Sequence, residues 1–320
     1  MGSDILSHGL QWDADVLHVV FEIFSSSGVM KTIGELGEDG LIAQLCEGLP
    51  STERVVVGPG DDCAVVEVGD EWVLLKTDAV VEGVHYLSSE NPKRVGWKAV
   101  ARVLSDFAAM GGEPGELLVT VAVSRELEVR WLTDLYEGMK SCLEQFGGVI
   151  VGGETSSLPV GSPAVISIAG RGRVSRKRLV TRSGGRAGDG IFVTGVLGGS
   201  INGKHLDFHP RLREATWLTE NCSLTAMMDL SDGLAKDLPR LAKASGCGFS
   251  IEKESVPCSE DVSLQEALGD GEDYELLFTC DQGSKLLEKW ADCFPDLRLT
   301  RIGELTADQQ GSLVGGWDHF

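Results

Sequence analysis

Short apolar runs that break off at glycine and aspartate recur along this chain, and they restrict it to folds in which strand ends deliver acids. The first case is residues 58–86, GPGDDCAVVEVGDEWVLLKTDAVVEGVHY. Runs of roughly 4–8 apolar residues ended by turn signals read as strands, so VVVGPGDD, AVVEV and EWVLLKTD are expected to form three strands. Asp61 and Asp62 fall in a glycine turn, Asp78 follows the run from Trp72 to Leu75, and Glu82 and His85 come shortly after. Carboxylates brought together repel and are driven toward protonation unless a cation neutralises them. Such a cluster either binds metal or is spread over a solvated surface.

Further on, strands and helices alternate. Gly34 to Leu49 places Leu41, Ile42, Leu45 and Leu49 on one helical face. Asn91-Pro92 is a cap and first-turn pair for a helix to Met110, with Val95, Ala99, Val100, Val103, Leu104 and Phe107 on its buried side. Asp106 lies in its last turn, and spacing leaves open whether it is buried or solvated. Leu117 to Val123 reads as a strand, Ser124 to Phe146 as a helix, and Val149 to Val151 as a short strand entering Gly152-Gly153-Glu154-Thr155. There backbone could approach a phosphate, although the tetrapeptide alone reads as a plain turn. Ala164 to Ala169 is a strand leading into the basic stretch GRGRVSRKRLVTRSGGRAGD, the best domain boundary. A new series starts at Gly190. Ile191 to Thr194 is a strand, and Ala226 to Asp229 another, with Asp229 and Asp232 at its end. Ser231 would cap a helix to Ser245 in which Pro239 predicts a kink or restart. Phe249 to Ile251 is a strand, an acidic turn at Gly271 enters another, and Lys285 to Phe294 is a helix.

At 320 residues the chain exceeds the size at which single cores usually divide, so two domains are expected. Against 49 acidic residues stand 28 basic ones, a formal charge of −21 that repels nucleic acid and anionic membrane. The excess suits a protein that collects divalent cations, although an acidic solvated surface explains most of it. The run from Val16 to Phe24 is broken by His18 and Glu22 and preceded by acids, so it is neither a signal peptide nor a membrane span. Residues 1–30 carry no functional reading and would be a loosely packed helix or an extension. Eight scattered cysteines with no C-x-x-C spacing read as small buried hydrophobes of a reducing, cytoplasmic compartment.

One string misleads. Gly198 to Lys204 follows a strand and matches the phosphate-cradling G-x-x-x-x-G-K pattern, with Asp229 able to pose as its metal-binding acid. His205 stands where that site needs a Ser or Thr hydroxyl on magnesium. A parallel nucleotide-hydrolase sheet would also leave Asp61, Asp62 and Asp78 without a role.

The motifs GPGDDCAVVEV, LKTDAVVEGVHY, VGWKAVARVLSDFAAMGGEP, GGETS, TRSGGRAGD, MDLSDGLAKDL, GDGEDYELLF and terminal GWDHF occur in that order. Over about residues 34–320 this series resembles the thiamine-monophosphate kinases of the aminoimidazole-ribonucleotide synthetase superfamily. The resemblance implies an α/β (α+β) fold of two-domain aminoimidazole-ribonucleotide synthetase-like architecture, its mixed sheets covered by helices and its amino-terminal domains pairing in a homodimer. It implies a metal- and ATP-binding, dimerising domain at 34–172, a carboxy-terminal α/β domain with a substrate-binding tail at 173–320, and an extension of unknown role at 1–33. The implied activity is ATP-dependent phosphorylation of thiamine monophosphate to thiamine diphosphate, assisted by several Mg2+ ions. By matching positions, Asp62, Thr77, Asp78, Asp106, Glu154, Asp229 and Asp232 would hold metal. Gly153, Glu154, Arg182 and Ser231 would meet the nucleotide, and His85, Glu272 and Trp317 would meet thiamine phosphate. Arg182, Asp78 and Asp106 would serve catalysis.

That chemistry agrees with the acids. Both reactants are phosphates, so the barrier is largely electrostatic and positional. The nucleophile is an ionised phosphate oxygen that needs no general base, and direct in-line transfer without a covalent intermediate is expected. Two positions depart from the family pattern. Lys76 replaces the usual Ser or Thr and cannot coordinate a metal while protonated, and Glu154 replaces the usual Asp and reaches one methylene further. The Gly199 to Leu218 connection is also short. A non-catalytic nucleotide- and cation-binding relative, or another ATP-dependent enzyme of the superfamily, is the alternative. The retained aspartates and Arg182 favour the kinase.

Overall fold

The structure is a computed structural model that describes residues 32–281 and 284–317. The readings placed on residues 1–31 and on Asp318, His319 and Phe320 lie outside the described residues. Residues 32–49 belong to a unit of their own. There Thr32 and Glu35 form a capping box around α1 (Ile33–Leu36), and α2 (Glu38–Cys46) follows Gly37. The single helix expected from Gly34 to Leu49 is thus divided at Gly37, whose φ of 70° suits glycine.

The second unit, Pro50–Trp317, carries two sheets. The first series runs β1 (Val55–Val57), β2 (Ala64–Val68), β3 (Glu71–Val81), α3 (Pro92–Ala109), β4 (Glu113–Ser124), α4 (Val129–Phe146), β5 (Val149–Leu158) and β6 (Val165–Val174). Its strands lie in the order β1-β2-β3-β6-β4-β5. The β4–β5 pair is parallel, which requires the crossover that α4 supplies, and the other neighbours are antiparallel.

The second series runs β7 (Gly190–Thr194), α5 (Lys204–Asp207), α6 (Leu212–Asn221), β8 (Leu224–Asp229), α7 (Leu234–Ala244) and β9 (Gly248–Ile251). It continues through α8 (Leu264–Gly269), β10 (Leu276–Cys280), α9 (Ser284–Cys293) and β11 (Leu299–Thr306). These strands form an antiparallel sheet in the order β8-β10-β7-β11-β9.

Helix α3 links the two halves. Asn91 accepts a hydrogen bond from the Lys93 amide at 2.9 Å, and Pro92 opens the first turn. Val95, Val100, Val103, Leu104 and Phe107 are fully buried in the core of the first sheet, whereas Ala108 belongs to a core cluster of the second. The helix also packs on β8, α5 and α6. Apolar contact on several sides leaves Lys98, Ser105 and Asp106 buried with it.

Four local expectations change. Strand β5 continues through Gly152-Gly153-Glu154-Thr155, so that segment is strand rather than turn, held by the parallel ladder to β4. Helix α4 starts at Val129, because Ser124 still belongs to β4 and a turn follows it. Pro239 restarts nothing: α7 is continuous, and burial of Leu238 and Leu241 offsets one missing backbone bond. Ser231 does not cap α7. Gly233 is the cap residue, and Asp237 accepts the Asp232 amide at 2.9 Å from inside the first turn.

The α3–α4 crossing rests on two glycines. A Cβ on Gly96 would lie 1.9 Å from the Leu135 carbonyl oxygen, and one on Gly138 would lie 1.8 Å from that of Lys93. Glycine to alanine within a helix ordinarily stabilises by about 1 kcal/mol. Here Gly96→Ala is expected to destabilise by about 3 kcal/mol through overpacking, measured by denaturant unfolding. A gain in stability would contradict this crossing.

Candidate active site

Three elements converge on a buried acidic centre. Asp62 comes from the loop before β2, Asp106 from the last turn of α3 and Asp229 from the end of β8. They are 2%, 6% and 3% exposed, and each offers a carboxylate oxygen within 4.8 Å of the others. Asp106, left open by its spacing, therefore points inward. The Ser105 hydroxyl donates to Asp229 Oδ2 at 2.5 Å. Arg182, on the link between the two sheets, donates through Nη2 to Asp62 Oδ1 at 2.5 Å, and its amide donates to Asp61 at 3.1 Å. Lys76 donates to Asp106 Oδ1 at 2.9 Å and lies 3.6 Å from Asp78 Oδ1.

The electrostatics follow from burial. Burial and then Asp62 push the Asp229 carboxyl up to about 7, and the same two influences push Asp61 up to about 6. Asp106 is pushed well up by burial despite Lys76. At Asp78 burial is outweighed by Lys76 and Arg102, and the carboxyl is held below its usual range. Lys76 is held charged because Asp106 and Asp78 outweigh its own burial.

Among the described residues, Asp62 Oδ2 is buried without a hydrogen-bond partner. Converging carboxylates, one of them with an unsatisfied oxygen, are the donor set of a hard divalent cation such as Mg2+ or Mn2+. The residues present fit that ion.

The other expected metal and nucleotide positions lie elsewhere. Side chains alternate along β3, so Lys76 and Asp78 share the helix-side face with Leu74, while Thr77 and Leu75 face the other way. Glu154 is exposed on β5 opposite Thr120 of β4, which is likewise exposed. Thr77 and Glu154 are thus not brought into the buried cluster. Gly153 permits close backbone approach, since a Cβ there would lie 1.9 Å from the Val119 carbonyl oxygen. Asp232 is bound by Arg240 at 2.5 Å and has Lys236 at 3.6 Å.

Two of the residues matched to thiamine phosphate, His85 and Glu272, meet at a second polar node. Lys98, fully buried on α3, donates to the His85 carbonyl oxygen at 2.6 Å and to Glu272 Oε2 at 2.8 Å, with His205 Nδ1 at 2.9 Å. Burial opposes ionisation of Glu272, but His205 and Lys98 outweigh it and hold the carboxyl down to about 2. Burial brings Lys98 down to about 8 against the pull of Glu272. Glu272 and Tyr274 have φ of 54° and 50°, a conformation that non-glycine residues hold only under constraint. The constraint is visible: the Glu272 amide donates to the Ser231 carbonyl, the Tyr274 amide to that of Leu230, and Tyr274 stacks on Phe208 at 3.9 Å between centroids. Trp317 joins the same loop, its amide donating to the Asp232 carbonyl at 2.8 Å while Lys236 donates to its own carbonyl.

Sequence reasoning missed Lys98, Ser105 and His205. Lys98 could have been found, because it interrupts the apolar stripe between Val95 and Phe107, and an ammonium there needs partners. The misleading glycine string is also resolved. The Gly198 and Gly199 amides donate to the carboxylates of Asp273 and Asp270, and Lys204 lies 3.2 Å from Glu275. Those amides are occupied by side chains of the protein itself.

Comparison with known proteins gives the family of the chain. Family models match AIR synthase related protein, N-terminal domain, at residues 60–174 and AIR synthase related protein, C-terminal domain, at residues 203–316. The thiamine-monophosphate kinase of Rhodopirellula baltica is 36% identical over an alignment 260 positions long that covers 75% of this chain and 81% of that protein. That of Aquifex aeolicus is 34% identical over an alignment 322 positions long that covers 89% of this chain and 99% of that protein. A solved structure of AaThiL complexed with AMPPCP and TMP is similar with a TM-score of 0.79 at 33% identity, covering 92% of this chain and 100% of that one. With both halves matched and identity sustained along most of its length, the chain belongs to the thiamine-monophosphate kinase family of AIR synthase related proteins.

Proposed function

We propose that this protein transfers the terminal phosphoryl group of ATP to the phosphate of thiamine monophosphate, giving thiamine diphosphate. The observation that carries this reading is the buried triad of Asp62, Asp106 and Asp229 beside Arg182, in a chain similar to a protein solved with AMPPCP and TMP. Mg2+ bound by these carboxylates, with Asp78 next to them, supplies the positive charge that two approaching phosphates need. Arg182 adds a fixed cation aimed into the same space. The acceptor oxygen is already ionised, so no side chain has to remove a proton, and transfer is direct. Gly153, Glu154 and Ser231 serve the nucleotide in this reading. His85, Glu272 and Trp317 serve thiamine phosphate, the exposed Trp317 ring offering a face to its cationic ring. Thr77 and Asp232 are ligands only on rearrangement, Asp232 by exchanging Arg240 for metal.

The same reading assigns residues 34–172 to metal, ATP and dimerisation and 173–320 to the carboxy-terminal domain and tail. The outer face of the first sheet exposes Leu75, Leu118 and Val151 around a hollow of about 500 Å³. An apolar face of this kind suits a second copy of the chain, and a homodimer joined there would hold Thr77 and Glu154 near the seam. Among the described residues no helix is long and apolar enough to cross a membrane. The free thiols of Cys46, Cys63 and Cys142 suit a reducing cytoplasm.

Asp229→Asn is expected to lower thiamine diphosphate formation from ATP, Mg2+ and thiamine monophosphate by about a hundredfold or more, with folding checked by circular dichroism. Turnover equal to the parent's would overturn the assignment.

The raised carboxyls make a second expectation. Unfolded, Asp61 and Asp229 ionise near 3.8, whereas folded they keep their protons to about 6 and about 7. Their proton-linked stability is therefore complete below the unfolded value and lost as pH rises through about 6 to 7. In chelator the melting temperature should fall between about pH 4 and 7, and Mg2+ should reduce that fall by favouring the ionised carboxylates. Equal falls with and without Mg2+ would contradict metal binding at this centre.

A further inference from the structure

We propose that the Lys76 ammonium is a tethered cation occupying the place of one divalent ion between Asp78 and Asp106, so that divalent metal in this protein gathers on the Asp62 side. The inference rests on the phosphoryl-transfer reading and concerns how that site's charge is supplied.

Lys76 Nζ stands 2.9 Å from Asp106 Oδ1 and 3.6 Å from Asp78 Oδ1, bridging carboxylates from α3 and β3. Its Cα partner across the ladder is Gly170, which has no side chain to compete for space. An ammonium offers three donors and no lone pair, so it neutralises carboxylates without ligating metal and repels any ion beside it. Asp62 differs. Arg182 engages only its Oδ1, and Oδ2 is left without a partner among the described residues, still available to an ion. Asp106 belongs to both groups: it pairs with Lys76 and contributes to the triad with Asp62 and Asp229. The centre thus has one side where an ammonium bridges two carboxylates and one side where Arg182 leaves a carboxylate oxygen open to exchangeable cation.

Mn2+ alone is the probe, counted by electron paramagnetic resonance in chelator-stripped full-length protein, without nucleotide or thiamine phosphate. Lys76→Ala should bind one more Mn2+ per chain than the parent and gain more melting temperature from saturating Mn2+. Lys76→Ser, which leaves an oxygen near the vacated place, should do the same and serves as the second variant should alanine fail to fold. An unchanged Mn2+ count with an unchanged melting shift in a folded variant would overturn the proposal. Failure of the kinase reading would show separately, as absent thiamine diphosphate formation by the parent, whatever the Mn2+ count.

Discussion

The burial of α3 between the two sheets is the constraint on which the rest depends. A helix packed on several sides is normally apolar all round, yet this one carries Lys98, Ser105 and Asp106 into the interior, each 6% exposed or less. Buried charges are costly unless paired and hydrogen-bonded, so the surrounding elements must supply partners. The first sheet brings Lys76 to Asp106, and the second brings Asp229 to Ser105 and Glu272 to Lys98. The acidic centre and the Lys98 node are therefore two places on one helix where the halves of the molecule have to meet.

Their charges are arranged differently. At the Lys98 node each carboxylate oxygen has a donor, and Glu272 stays ionised over the whole ordinary pH range. At the acidic centre the carboxylates outnumber the cations that touch them, and Asp106 and Asp229 are pushed toward protonation. The first arrangement fixes a geometry. The second stores an electrostatic deficit that a divalent ion relieves. The loop at Leu230 to Asp232 joins them, since it follows Asp229, pairs with the backbone of Glu272 and Tyr274, and receives the tail through Trp317.

Much of this was legible in the residues. Acids at strand ends pointed to a carboxylate centre, and Asn91-Pro92 fixed the start of α3. The face of Thr77 was also available from the two-residue period of β3, since Lys76 and Asp78 cannot share a side with it. Other features were not legible, for physical reasons. Whether Asp106 is buried depends on β8 and Lys76, which arrive from distant sequence. Gly152-Gly153 reads as a turn until its parallel partner β4 is known, because the ladder overrides local preference. The cap position of α7 is Gly233 rather than the expected Ser231, and Asp237 inside its first turn holds the Asp232 amide just ahead of that cap. The glycine string at 198–204 imitated a phosphate loop because glycine amides serve carboxylates and phosphates equally well.

The most direct measurement compares thiamine diphosphate formation by Asp106→Asn and Lys204→Ala, expressed per folded molecule in the presence of ATP and Mg2+. Phosphoryl transfer at the acidic centre predicts that Asp106→Asn loses turnover. Lys204→Ala, though less stable for want of its Glu275 partner, should keep turnover. Retained turnover in the first with loss in the second would contradict it and move the chemistry to the glycine string.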